Sequence, residues 1–169
     1  MVQYFGEDAV KTGETRHHLQ ASHLTEPALD MNPIELLMVD DNAAETLLLL
    51  YALEDCPRPI NFHFAKDGVE ALEMLKRETF DLVILDLNLP GLSGYDVLEQ
   101  CDPRQVPVVV FSVSSNEAHA KRALELGARE FVHKPDALEM YRHAVLKMIE
   151  TWVLNKSKSA GAGNYGCPS

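Results

Sequence analysis

The run Leu82-Val83-Ile84-Leu85-Asp86-Leu87-Asn88-Leu89-Pro90-Gly91 decides how this chain folds. Its first four residues are all apolar and two are β-branched. A strand made of them has no polar face, so it needs cover on both sides, which is the signature of a parallel sheet. A carboxylate follows at once, and then a Pro-Gly turn signal. Val108-Val109-Val110-Phe111 repeats the pattern and leads into Ser112. Mixed runs at 34–39, 61–65 and 130–132 supply three further strands. Helical patterns cover 43–54, 68–78, 93–100, 116–126 and 137–154. Five strands alternating with five helices predict an α/β domain, a doubly wound five-stranded parallel sheet with helices on both faces.

The last helix carries a stripe of Leu138, Tyr141, Val145, Met148, Ile149 and Trp152 at 3.6-residue spacing. Leu146 and Val153 add a second apolar line. That second line reads either as a thick core contact or as a face for a partner or a second copy.

The domain expected from this pattern spans 34–154. Residues 1–33 read as an N-terminal extension with scattered His17, His18 and His23, and 155–169 as a Gly/Ser/Ala-rich flexible tail. Met31 offers an alternative start. The whole chain has 169 residues, 26 acids against 15 bases, and a formal charge of −11. Such a balance argues against nucleic-acid or anionic-membrane binding, because phosphate contact needs clustered Lys and Arg. No apolar run reaches the ~18 residues of a membrane helix, and no secretory leader is evident. Cys56, Cys101 and Cys167 are odd in number with no CxxC pairing, so a disulfide framework is not expected and a cytoplasmic location is. Cys101 reads as a small apolar filler.

In a doubly wound sheet, ligands bind beyond the carboxyl ends of the strands. Asp40, Asp41 and Asn42 follow the first strand, Asp86, Leu87 and Asn88 the third, Ser112 the fourth, and His133 and Lys134 the fifth. Three carboxylates, a hydroxyl and a lysine thus meet at one edge. Clustered carboxylates repel, which raises a pKa or recruits a cation. Hard oxygen donors from two or three acids suit Mg²⁺. A carboxylate is also a competent phosphoryl acceptor, and a metal, an ammonium and a hydroxyl neutralise the charge of a phosphoryl group in transfer. Taken singly, these residues have plainer roles: Asp41 or Asn42 as a helix cap, Lys134 as a solvated surface residue. The formal G-x-G-x-x-G at 161–166 follows a helix rather than a strand, so it is not read as a dinucleotide fingerprint.

The segments LLMVDDN (36–42), AKDGVEAL (65–72), LVILDLNLPGLSGYDVL (82–98), VPVVVFS (106–112) and GAREFVHKP (127–135) resemble, in order and spacing, the receiver domain of bacterial two-component response regulators. That resemblance covers about 120 residues. It implies a flavodoxin-like fold with Asp86 as phosphoacceptor. Asp40, Asp41 and Asp86 would hold Mg²⁺ together with the backbone carbonyl of Asn88. Lys134 would pair with a phosphoryl oxygen, and the Lys134–Pro135 bond would be cis. Ser112 would be the switch hydroxyl and Phe131 the switch aromatic. Val113 departs from the Ala or Gly common after the switch hydroxyl, which implies slower loss of phosphate. FSVSSNEAHA (111–120) and the WVL ending (152–154) are similar to single-domain regulators that partner bacterial phytochromes.

The implied protein is not an enzyme acting on a separate substrate. It takes a phosphoryl group from a sensor histidine kinase, of phytochrome type on the finer resemblance, or from a histidine phosphotransfer protein. With fifteen residues after Leu154, its output is expected through protein contact, including a homodimer through the last helix. A pseudo-receiver that has lost phosphorylation and a Mg²⁺-dependent phosphohydrolase are the competing classes.

Overall fold

A computed structural model of the chain describes residues 32–102 and 104–155. The expectations for 1–31 and 156–169 lie outside the described residues. Within them the order is β1 (Ile34–Val39), α1 (Ala43–Leu53), β2 (Ile60–Ala65), α2 (Gly68–Arg77), β3 (Leu82–Leu85), α3 (Gly94–Gln100), β4 (Val108–Ser112), α4 (Glu117–Glu125), β5 (Glu130–His133) and α5 (Leu138–Ile149), ending in a π-helical turn over Glu150–Leu154. The five strands form one parallel sheet in the order β2-β1-β3-β4-β5. The sheet reverses direction at β1 and β3, so the crevice between their carboxyl ends is the switch point.

The all-apolar strands are buried throughout, as a doubly covered sheet requires. Alternate residues feed two cores. Leu37, Val39, Val83, Leu85, Val108 and Val110 pack under α2, α3 and α4. Ile34, Leu36, Met38, Leu82, Ile84, Val109 and Phe111 pack under α1 and α5. Burying an aliphatic side chain of this size contributes about 1.5–3 kcal/mol, so both layers hold the strand ends rigidly.

Caps set where the helices begin. Asn42 accepts from the Ala44 N–H at 3.0 Å and starts α1. Asp67 accepts from the Glu70 N–H at 2.9 Å and starts α2. Ser93 and Asp96 form a reciprocal capping box at α3. A Cβ on Gly94 would overlap the carbonyl oxygen of Asp86 and the Leu87 Cα, so only glycine lets α3 press against the backbone at the end of β3.

Two expectations change. Among the described residues there is no cis peptide bond, so Lys134–Pro135 is trans, the form favoured for X–Pro by about 0.5–1 kcal/mol. In the last helix, Tyr141, Val145, Met148, Ile149 and Val153 are buried, whereas Leu138 is exposed. The π turn adds a residue to the last turn and brings Val153 inward. Trp152 is half-buried there, its indole N–H donating to Glu130 at 2.7 Å. The change is therefore at Leu138; buried Val153 agrees with the core-contact reading of the second apolar line, and Leu146 is half-buried.

Candidate functional site

Register places the site. Val39 pairs with Leu85, so Asp40 and Asp86 leave β1 and β3 side by side, and the Asp86 N–H donates to the Val39 carbonyl at 2.9 Å. Ser112 pairs with His133, and the Lys134 N–H donates to the Ser112 carbonyl at 2.9 Å. Four polar side chains thereby become buried: Asp40 at 1% exposure, Asp86 at 8%, Ser112 at 0% and Lys134 at 5%.

The Lys134 ammonium joins them. Nζ donates to Asp40 Oδ2 at 2.6 Å and to Asp86 Oδ2 at 3.4 Å, with Glu45 Oε2 at 3.7 Å. The other carboxylate oxygens are anchored to backbone. Asp40 Oδ1 accepts from the Asn42 N–H at 2.8 Å, and Asp86 Oδ1 from the Asn88 N–H at 3.2 Å. Ser112 Oγ accepts from the Ser114 N–H at 3.3 Å.

Burial works against the Lys134 ammonium. The Asp40 hydrogen bond and the charges of Asp86, Asp40 and Glu45 outweigh it and hold Lys134 above the usual lysine range. Burial pushes the Asp40 carboxyl up. The Lys134 and Asn42 hydrogen bonds and the Lys134 charge oppose this, while Asp86 adds to it. An ion pair alone would lower Asp40, so its upward direction marks desolvation as dominant at that residue. Three acids around one base leave the crevice with an excess of two negative charges, a reason for it to attract a cation.

The structure brings Asp40, Asp86, Ser112 and Lys134 to one edge and places other expected residues around them. Asp41 is exposed just ahead of α1, where Asn42, not Asp41, is the cap. Asn88 is exposed, two residues beyond Asp86. Phe131 is half-buried against the core under α2, α3 and α4. His133 and Val113 are exposed. Glu45, one helical turn after Asp41, is the member that strand-end reading misses. The signal for it is the i, i+4 spacing in the first turns of α1. Among the described residues no three His, Cys, Asp or Glu side chains already form a cation cage, and Lys134 is paired with Asp40 and Asp86 there. The donors are nonetheless hard oxygens on a fixed backbone, which fits a divalent cation of the Mg²⁺ class.

The family profile described as response regulator receiver domain matches residues 36–146. The chain belongs to that family. Among curated relatives, the probable methanogenesis regulatory protein FilR2 of Methanothrix harundinacea is 30% identical over 132 residues, covering 72% of this chain and 85% of that protein. The two-component response regulator ARR3 of Arabidopsis thaliana is 30% identical over 155 residues, covering 83% of this chain and 64% of that one. Further curated relatives, protein-glutamate methylesterases among them, are matched over 26–38% of their length. Among solved structures, the phosphorylated cyanobacterial phytochrome response regulator RcpA superposes with a TM-score of 0.68 at 30% identity, over 73% of this chain and 96% of that one. The receiver fold is thus a property of this chain. No helix among the described residues is long and apolar enough to cross a membrane.

Proposed function

We propose that this receiver takes a phosphoryl group on Asp86 from the phosphohistidine of a sensor kinase and signals by protein contact. One observation carries the proposal: a nearly fully buried lysine bridges the paired strand-end carboxylates of Asp40 and Asp86, at 2.6 and 3.4 Å. A buried ammonium between two acids is costly to maintain for stability alone, which favours a functional reason for it.

The chemistry follows from the side chains. An Asp86 carboxylate oxygen attacks phosphorus in line. The P–N bond to the donor imidazole breaks, and the imidazole leaves with the bond's electron pair and takes a proton from solvent. Lys134, charged by its surroundings, faces the incoming negative charge. Asp40, Asp41, Asp86 and the Asn88 carbonyl would hold a divalent cation, which supplies further charge neutralisation when bound. Afterwards the new phosphoryl oxygens attract the Ser112 hydroxyl away from its Ser114 contact. Phe131 moves into the space released, biasing α4, β5 and α5 toward a second arrangement.

The kinase is of phytochrome type in this reading, supported by the likeness to RcpA. A histidine phosphotransfer protein and a homodimer through α5 are further partners, the compartment is the cytoplasm, and 34–154 is the functional unit. Mass measurement after incubation with acetyl phosphate and Mg²⁺ tests the central step. A gain of one phosphoryl group, absent in Asp86→Asn, supports it. An unmodified wild-type chain points to a pseudo-receiver, and turnover of unrelated phosphoesters to a hydrolase.

A further inference from the structure

Lys134 and a divalent cation compete for the same oxygens. Asp40 Oδ2 holds the ammonium at 2.6 Å, and a cation taking that carboxylate repels the ammonium. At 5% exposure, Lys134 cannot move into the interior unpaired without a large desolvation cost. It needs a second anion within reach.

Glu45 supplies one. Its Oε2 lies 3.7 Å from Nζ, is shielded from solvent and makes no fully formed hydrogen bond. Closing that gap to hydrogen-bond length takes roughly 1 Å. A second, independent feature points to the same spot. Tyr141 on α5 is 2% exposed and its hydroxyl also makes no fully formed hydrogen bond. Burial first, and then the neighbouring Glu45 charge and a hydrogen-bond interaction with Glu45, hold that phenol above its usual range. Its ring packs on Phe111, the residue before Ser112, with centroids 5.1 Å apart. A carboxylate and a phenol thus stand together behind the lysine, near enough to interact with each other, and the carboxylate is the anion nearest to Nζ after Asp40 and Asp86.

We propose that Glu45 is a positioning residue for Lys134, the carboxylate to which the ammonium transfers when a divalent cation takes Asp40. This rests on the phosphoacceptor reading above. By receiving the ammonium, Glu45 frees Asp40 for the cation and keeps Lys134 charged and close to Asp86. Its own negative charge also favours a cation nearby.

The test is Mg²⁺ calorimetry on the unphosphorylated full chain. Glu45→Gln is expected to weaken Mg²⁺ binding about three- to tenfold, with Glu45→Asp restoring most of it. Phosphoryl uptake by Glu45→Gln is then slow at low Mg²⁺ and recovers as Mg²⁺ is raised. A crystal structure of the wild-type chain with Mg²⁺ gives a reading that needs no variant. The Lys134–Glu45 distance should fall to hydrogen-bond length while Lys134–Asp40 opens. Wild-type Mg²⁺ affinity in Glu45→Gln, or a lysine still seated on Asp40 with Mg²⁺ bound, overturns the proposal. Failure of the wild-type chain to take up phosphate counts against the phosphoacceptor reading instead, since Mg²⁺ binding is measured without phosphoryl transfer.

Discussion

At the carboxyl edge of the sheet, Asp40, Asp86, Ser112 and Lys134 are all at most 8% exposed. At the amino edge, below β3 and β4, lies a cleft of about 580 Å³ lined by Leu72, Phe80, Cys101 and Val106, with Lys76 and Arg77 at its rim. A cleft of that size is within the range of small-molecule sites. Yet Lys76, Arg77 and Glu78 are exposed, Asp102 is half-buried beside Arg104, and among the described residues no buried polar groups converge there. Burial pushes the Cys101 thiol up to about 11, which makes it a packing group and a poor nucleophile. The cleft lies between the C-terminal ends of α2 and α3. The crevice is where the fold spends stability to hold charges out of water.

Four changes would break or sharpen this contrast. The largest effect is expected from Lys134→Met. Phosphoryl uptake from acetyl phosphate should fall about 10²-fold, and urea unfolding should show a loss of about 3 kcal/mol because buried acids are left unpaired. The sign with pH is fixed by the raised Lys134 pKa. Its contribution to stability is complete below the ordinary lysine value of about 10.4 and is lost as pH climbs through the folded value. The variant should therefore lack that alkaline decline.

Next in size is the pH dependence of Mg²⁺ binding. Because the Asp40 carboxyl is raised, the folded chain binds that proton more tightly than the unfolded chain. Ionised Asp40 therefore costs stability as pH rises through its folded value. A cation needs the ionised form and competes with the proton. The half-saturating Mg²⁺ concentration should rise several-fold as pH falls from neutral toward the ordinary carboxylate range. A flat profile would show that Asp40 is no cation ligand.

A smaller effect is expected at the rim. Val113 is 62% exposed beside the buried Ser112, placed to hinder water without being part of the core. Val113→Ala should shorten the phosphoryl half-life about threefold and change stability by less than about 0.5 kcal/mol. An unchanged half-life removes Val113 from the account. The smallest effect belongs to the opposite edge. Cys101→Ala should cost about 1 kcal/mol in unfolding and leave phosphoryl uptake within about twofold of wild type. A large loss of uptake there would erase the distinction between the edges.

Much of this was legible in the sequence for a definite reason. Apolar runs without a polar face, such as 82–85 and 108–111, have few ways to be buried, so sheet type and strand ends follow. Once the ends are known, the residues after them are known too, and Asp40, Asp86, Ser112 and Lys134 meet as expected. What escaped depends on reach and on local packing. Glu45 enters the crevice through the length of its side chain from a helix, which strand-end reading does not register. Which of the two readings of Val153 holds depends on one extra residue in the last helical turn. Gly94 matters through its closeness to the Asp86 backbone, and no neighbouring residue in the sequence signals that.

Borohydride trapping of the phosphorylated chain, followed by peptide mass spectrometry, tests the central claim most directly. An acyl phosphate is reduced at the modified carboxyl, so the phosphorylated residue is converted to its alcohol. The account predicts conversion of Asp86 to homoserine in the peptide containing residues 82–98, dependent on both acetyl phosphate and Mg²⁺. Conversion at another carboxylate, a phosphate found on Ser112 or a histidine, or no conversion in a folded Mg²⁺-bound chain would contradict it.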